Sequence, residues 1–369
     1  MMRRARLTID ADALRHNLGV ARRAAGERGI FAAVKADGYG HGLLTSASAF
    51  ADAGSEGFAV ATPGEALALR EAGFEQRILV LQGPLDAEEI ELGIAHRLEM
   101  VFHDVSQIET LERECSRWGG AGRQGRIEAW LKLDTGMHRA GIMPAAIAEA
   151  RARLQRCPAV AGRVGLMTHF ARADEPDPSW TREQVACFDE CAAGWSGATS
   201  LCNSAGLLGH AAGGDWVRPG IMLYGGNPFI FGRAADHDLR AAMHFRTVLI
   251  AVREVPRGEG IGYGGRFVAP ETMPVGIAAV GYGDGYPRHA PDGTPILVNG
   301  QRTQVVGRVS MDMVTVDLRG IEARVGDEVE CWGEQLPVDT VSQAAGTISY
   351  ELMCRMGAEL RAEARVINA

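Results

Sequence analysis

Between Phe31 and about Gly225 the chain returns repeatedly to a short apolar run, and this recurrence constrains its fold more than any other feature. The runs read "FAAVKA", "GFAVAT", "RILVLQG", "EMVFHD", "IEAWLKLDT", "VGLMTHF", "TSLCNS" and "WVRPGIMLYG". Each has the length of a buried strand. Between most of them lie stretches with helical spacing, such as "PGEALALREAG" from Pro63, closed by Gly73 where a C-terminal cap is expected, and "VSQIETLEREC" from Val105. Eight β-then-α units in about 200 residues point to a (β/α)8, TIM-like barrel. An open doubly wound sheet alternates strand and helix in the same way and also buries both strand faces, but the count of eight favours closure.

After Asp236 the rhythm changes. "FRTVLIAVREV", "MPVGIAAVGYGDGYP", "TPILVNGQRTQVVGRVSMDMVTVDL" and "VGDEVECWG" are β-type runs punctuated by Gly, Pro and Asn, with little helical periodicity before Leu336. The expected organisation is therefore a barrel over residues 1–236 and a smaller, mostly β domain over 237–369. The segment "RARLTID", residues 4–10, alternates like a strand ahead of the barrel, which makes residues 3–9 a candidate to pair with the second domain. Asp10 is placed to cap the helix that begins "ADALRHNL".

Composition narrows the function. With 46% hydrophobic and 23% charged residues the chain can bury a sizeable core. A net charge of −8 with no long basic block disfavours nucleic-acid binding. The N-terminal "MMRRARLTIDADALRHNLGV" is interrupted by charge before an apolar export signal develops, and no run of about 18 apolar residues follows, so a cytoplasmic protein away from membranes is expected. The seven cysteines are odd in number and lack CxxC spacing, which suggests neither a disulfide framework nor a metal site.

Within "FAAVKADGYGHG" the first barrel strand ends in Lys35. Barrels carry their chemistry at the C-terminal strand ends. A partly desolvated lysine there loses affinity for its proton and can form an imine with a carbonyl cofactor or substrate. Position alone also accommodates a lysine that snorkels to water or pairs with a carboxylate. The following Gly38, Tyr39, Gly40, His41 and Gly42 combine backbone freedom with a phenol and an imidazole, suited to enclosing a phosphorylated ligand. Other strand ends agree: His169 closes "GLMTHF", Asn203 and Ser204 close "SLCNS", and Arg218 lies just before Gly220 and Ile221. A hydroxyl from the seventh unit and amides after the eighth match the place where barrels commonly hold phosphate.

In order along the chain stand "AVKADGYGHG", "LKLDTGMHRAG", "MTHFARAD", "CNSAG", "VRPGIMLYG", "GIGYGGRF", "GYGDGYPR" and "GRVSMDM". In these motifs, which span nearly its whole length, the chain resembles the bacterial alanine racemases, fold-type III enzymes that use pyridoxal 5′-phosphate (PLP). The resemblance implies a barrel followed by a β domain, a head-to-tail homodimer whose active sites draw on both subunits, and interconversion of L- and D-alanine that supplies D-alanine for cell-wall peptidoglycan. It implies that Lys35 carries the cofactor and that Tyr39, Ser204, Gly220, Ile221 and Tyr350 hold its phosphate. His169 would lie against the pyridine ring and Arg218 would face the ring nitrogen. Arg139 would approach the cofactor's phenolic oxygen and the substrate carboxylate, and Lys132 matches a lysine that relatives can carry as a carbamate. Tyr263 resembles the second base and Met311 the residue whose amide holds substrate, both supplied by the partner subunit. Two positions depart from many relatives: His138, in place of glycine, and Gly262, in place of serine.

Racemisation needs one group to remove the α-proton and another to return it on the opposite face, so two acid–base residues must flank a planar intermediate. Lys35 would serve the D-enantiomer and Tyr263 the L-enantiomer. The alternatives are a related racemase with serine or lysine specificity, a barrel decarboxylase, and a PLP-binding protein without turnover. The decarboxylases use a cysteine in the β domain. Cys331 in "VECWGE" and Cys354 in "ELMCRMG" stand in neither expected motif, and the β domain itself argues against a simple carrier.

Overall fold

In the computed structural model, which describes residues 4–118, 126–210 and 212–368, the eight apolar runs are eight parallel strands that close on themselves. With β1 at Arg6–Asp10, the barrel strands are β2 (Gly29–Ala33), β3 (Gly57–Val60), β4 (Arg77–Val80), β5 (Glu99–Phe102), β6 (Ile127–Lys132), β7 (Val160–Met167), β8 (Thr199–Ser200) and β9 (Trp216–Val217). Closure is made where Gly29 and Ile30 of β2 register with Trp216 and Val217 of β9. The interior below the mouth is filled by aromatic rings set against small residues: Phe31 stacks on Trp216 with centroids 4.3 Å apart, and Trp130 donates its indole N–H to the buried Glu99 (2.6 Å). Arg77 holds the same carboxylate from β4. The bottom of the barrel is thus a satisfied plug, and the chemistry is left to the opposite end.

The helices do not follow a simple β-then-α order. The last barrel strand is followed by a 3₁₀ turn, Ile221–Tyr224, and the eighth helical position is filled by Ala11–Ala25, which precedes β2 and packs between the helices Leu43–Asp52 and Ser204–Gly209. Asp10 caps this helix through the amides of Asp12 and Ala13. Buried Asn17 then ties it to the chain leaving the barrel, donating to the carbonyls of Leu223 (3.1 Å) and Arg240 (2.8 Å) and accepting from Arg240 N–H (2.9 Å). Strand periodicity cannot reveal this arrangement, because it does not say which helix covers which gap.

Beyond the barrel come β10 (Met243–Val255), β11 (Gly260–Ile261), β12 (Phe267–Val268), β13 (Met273–Ala278), β14 (Pro295–Val298), β15 (Gln301–Gln304), β16 (Val314–Asp317), β17 (Glu328–Trp332) and β18 (Arg365–Ile367). Strand β10 is the spine of this second sheet. Its first half alternates buried and half-buried residues and pairs with β17 and β1, and its second half pairs with β13. Because β1 pairs antiparallel with β10 and parallel with β18, both ends of the chain are stitched into the β domain. Two short helices of that domain, Ser349–Cys354 and Ala358–Ala362, return to the mouth of the barrel.

Candidate active site

A cavity of about 680 Å³ opens at that mouth, lined from the C-terminal ends of all eight barrel strands together with Tyr350 and Cys354. Lys35 lies two residues beyond the end of β2, at the head of a single left-handed turn. Ala36, Asp37, Gly38 and Tyr39 have φ of 53°, 54°, 58° and 52°. Left-handed geometry costs roughly 1–2 kcal/mol for each residue bearing a Cβ, so the surroundings must impose it. Asp37 accepts from Leu43 N–H (2.8 Å) and pairs with Arg361 (3.2 Å). Buried His41 donates Nδ1–H to the carbonyls of Gly38 (3.1 Å) and Tyr39 (3.0 Å). Burial pulls the His41 imidazole down to about 4, against the hydrogen bonds to those carbonyls, so the ring stays neutral. Gly40 has φ of 81° and its Cα rests on the Met353 carbonyl, where a Cβ would fall 2.0 Å from the oxygen. The turn is therefore locked from both the barrel and the β domain.

The cavity is rich in positive charge. Burial and then the Arg139 guanidinium lower the Lys35 amine below its ordinary value, with Arg218 adding and Glu65 and Cys354 opposing. Lys132, the last residue of β6, is brought down to about 8 by burial and by Arg218, Arg139 and Lys35, against Asp134. Burial, followed by the charges of Arg218, Lys132, Arg139 and Lys35, holds the His169 imidazole well below its usual value. Arg218 is buried, which pushes its guanidinium down to about 10. Its two terminal nitrogens donate to Ser200 Oγ and to the carbonyls of Thr168 and Leu201. Its Nε–H has no protein acceptor among the described residues.

One side of the cavity is a cup of neutral donors. Ser204 opens the helix Ser204–Gly209, and its hydroxyl accepts from the amides of Gly220 (2.8 Å) and Met222 (3.4 Å). The 3₁₀ turn begins at Ile221, so two helical N-termini meet there. Tyr39 stacks on Tyr224 at 4.7 Å and lies 6.0 Å from Tyr350. Burial raises the pKa of both Tyr39 and Tyr350, keeping the phenols protonated as donors. Hydroxyls and amides arranged this way at helical N-termini suit an oxyanion group such as phosphate.

Arg139 reaches the rim on a loop built around Asp134. That carboxylate accepts from the amides of Gly136 (3.0 Å) and His138 (3.1 Å) and faces the His138 ring at 3.1 Å. Burial opposes its ionisation, but those bonds outweigh it and hold its pKa below the usual carboxylate value. The unusual His138 sits in the left-handed region, φ 55°, directly before Arg139.

Lys35, Tyr39, Lys132, Arg139, His169, Ser204, Arg218, Gly220, Ile221 and Tyr350 all line this one cavity. Tyr263 and Met311 do not: they are 70% and 61% exposed on the β domain, where Tyr282 and Met313 are exposed to a lesser degree. The loops carrying Tyr282 and Met311 abut, since Tyr282 N–H donates to Ser310 O (3.1 Å) and Gly283 N–H to Met311 O (2.8 Å), and Gly262, next to Tyr263, faces the backbone of Arg308. Sequence reasoning passed over Gln82, His103 and Thr168, which also line the cavity, as does Cys354, weighed there only as a decarboxylase cysteine. The first three follow the ends of β4, β5 and β7, so the strand-end rule applied evenly finds them. Cys354 carried no such signal.

The chain matches the family models "Alanine racemase, N-terminal domain" over residues 9–228 and "Alanine racemase, C-terminal domain" over residues 242–364. It is 46% identical to an alanine racemase of Halorhodospira halophila over 98% of each chain. It is 49% identical to one of Nitrosococcus oceani, over 94% of this chain and 96% of the relative. The crystal structure of a biosynthetic alanine racemase from Pseudomonas aeruginosa superposes with a TM-score of 0.93 at 43% identity, covering all of both chains. With the barrel, the β domain and the mouth of the cavity all matched in one continuous comparison, this chain belongs to the alanine racemase family.

Proposed function

We propose that Lys35 and Tyr263 are the two acid–base groups of alanine racemisation in this protein, Lys35 from one protomer and Tyr263 from a second copy. The reaction, PLP-dependent interconversion of L- and D-alanine, belongs to the family. The observation that carries the residue assignment is the pairing, in one cavity, of a half-buried lysine among cations with a donor cup on another side.

The residues present fit PLP. The cup formed by Tyr39, Ser204, Tyr350 and the Ile221 amide suits a phosphate, with the Gly220 amide, donating to Ser204 Oγ, at its edge, and Gly220 lacks the Cβ that would otherwise lie 2.4 Å from Tyr39 Oη. Lys35 would carry the cofactor, His169 would lie against its ring, and the unshared Nε–H of Arg218 would face the ring nitrogen. When bound, PLP supplies the electron sink that accepts the charge left on Cα as the α-proton departs. Lys35 Nζ, its proton affinity already lowered, takes or returns that proton on one face. Tyr263 Oη does the same on the other. Arg218 cannot accept a proton, so a ring nitrogen facing it stays unprotonated. Arg139 binds the substrate carboxylate beside the Met311 amide of the second copy. Lys132, partly neutral near pH 8, is able as the free amine to add CO2, releasing one N–H proton to solvent, and as the resulting carbamate to offer Arg139 an anionic partner.

Support for a homodimer comes from the exposed Tyr263, Tyr282, Met311 and Met313, large apolar side chains on abutting loops. The seven free thiols fit a reducing compartment, the cytoplasm. The test is to supply each L-amino acid in turn to the purified protein and to measure D-product by chiral separation. D-alanine is the expected principal product. Its absence, or a larger yield from serine or lysine, overturns the assignment.

A further inference from the structure

The helix Pro63–Glu71 begins with a capping box: Thr62 Oγ1 accepts from Glu65 N–H (3.3 Å), and Glu65 Oε2 accepts from the amides of Thr62 (3.3 Å) and Ala61 (2.7 Å). A cap needs no more than this. Yet the second oxygen of the same carboxylate, Oε1, accepts from Ala36 N–H at 2.8 Å, across the gap between the first and second barrel units. Ala36 is the first residue after Lys35 and the first in the left-handed turn. We propose that Glu65 is a positioning residue for Lys35, its carboxylate joining the turns after β2 and β3 so that the strained Lys35–Tyr39 turn presents the amine to the cofactor. The proposal rests on Lys35 being the cofactor lysine.

Three observations carry it. The turn places an alanine, an aspartate and a tyrosine in left-handed geometry, which persists only where outside bonds fix it. Asp37 and His41 secure its middle and end, and Glu65 holds its beginning, one residue from the reacting amine. The two strands beneath are in register, with Ala33 opposite Ala59 and Val34 N–H donating to Ala59 O (2.9 Å), so one side chain spans both turns without distortion. Glu65 is also a carboxylate acting on a lysine whose other charged neighbours include Arg139 and Arg218, so it offsets part of their repulsion.

The experiment compares Glu65→Gln, Glu65→Asp and Thr62→Ala in the full-length protein. Gln matches Glu in shape, but one of its two ends becomes a donor and cannot accept from both Ala36 and Ala61. Asp keeps the charge and shortens the reach. Thr62→Ala weakens the cap and leaves the Ala36 bond intact. Measured are melting temperature, PLP affinity by absorbance titration, and kcat and KM for L-alanine. Both Glu65 variants are expected to lose about tenfold in PLP affinity and in kcat, the worth of one charge-assisted hydrogen bond, with KM nearly unchanged. Thr62→Ala is expected to melt earlier with affinity and kcat within about twofold of wild type. If the Glu65 variants lose only melting temperature, as Thr62→Ala does, Glu65 is a cap and the proposal fails. Should Glu65→Gln not fold, wild-type affinity and kcat in Glu65→Asp overturn it equally. Borohydride reduction of the wild-type holoenzyme and peptide mapping test the underlying reading separately: a pyridoxyl group on another lysine rejects Lys35 whatever the Glu65 variants do.

Discussion

Gly220→Ala tests the phosphate cup through a single carbon. The new Cβ would lie 2.4 Å from Tyr39 Oη and 3.1 Å from Cζ, whereas ordinary contact begins at 3.4 Å, so the phenol must retreat by 3.4 − 2.4, or about 1 Å. Gly220 has φ of −127°, so no left-handed strain enters. Tyr39 is buried against Tyr224 and Tyr350, and the shift takes its hydroxyl off the cup. Losing one hydrogen bond to a charged group costs roughly 1.5–3 kcal/mol, a tenfold to hundredfold weakening of PLP binding. Tyr39→Phe removes the same bond and also the atom that is struck. The double variant should therefore bind PLP within about threefold of Tyr39→Phe alone, a coupling that independent effects would not produce. The assay is absorbance titration of apoprotein with PLP and, as a control, with pyridoxal, whose affinity should be nearly the same in all four proteins. Unchanged PLP affinity in Gly220→Ala, or simple additivity in the double variant, refutes the placement of the phosphate beside Tyr39.

Changing Tyr263 to Phe should leave PLP bound while racemisation falls by roughly 10²–10⁴, with α-proton exchange from D-alanine in D2O outlasting that from L-alanine; equal exchange from both enantiomers would reject the two-base scheme. Mixing inactive Lys35→Ala and Tyr263→Phe proteins should restore activity through hybrid dimers, and no recovery despite demonstrated hybrids would place both bases on one chain. Lys132 titrates near pH 8 when folded against 10.5 as an ordinary lysine, so the unfolded chain holds the extra proton between those values and wild-type stability climbs with pH through that window. Lys132→Met should accordingly stabilise the apoprotein at pH 7 by roughly 1–2 kcal/mol in bicarbonate-free urea titrations, an advantage that shrinks toward pH 10.5; a pH-independent difference would contradict this. Gly165→Ala would set a Cβ 2.5 Å from the Trp130 ring inside the barrel, and thermal melting should show a loss of about 1–3 kcal/mol with PLP affinity retained.

The barrel was legible because its strands are short, apolar and separated by helical spacing, and periodicity reports burial directly. The eighth helix was not, because the covering of the last gap by Ala11–Ala25 depends on bonds such as those of Asn17 to Leu223 and Arg240, more than 200 residues away. The rim residues were legible one strand at a time, since the strand-end rule needs only local sequence, and it reached Lys35, His169, Ser204 and Arg218. It left Gln82, His103 and Thr168 unread because it was applied to some strand ends and not to all eight. The left-handed turn was half legible. Gly38, Gly40 and Gly42 advertise unusual backbone, but Ala36, Asp37 and Tyr39 do not, and their geometry is imposed by contacts with Glu65, Arg361 and Met353.

Tyr263 marks a different kind of limit. A buried residue announces itself by the neighbours that bury it, and Lys35 acquires its altered proton affinity from groups on its own chain. Tyr263 stands 70% exposed on a loop where Gly262 and Gly264 both have positive φ, so within one chain it has no environment that marks it as a base. Its family motif could be read, but its chemistry could not be derived, because the cations that would make a phenol useful surround a cavity that Tyr263 does not line. The same holds for Met311. If the two-copy reading is correct, the catalytic unit is an assembly property: one copy contributes the lysine, the anion cup and the cation cluster, and the other contributes the second base on an apolar face that association covers. Activity should then fall with dilution through the dimer dissociation range while PLP remains on Lys35, because every residue of the proposed cup belongs to the chain that holds the lysine. Activity independent of protein concentration across demonstrated dissociation would mean that a single chain supplies both bases.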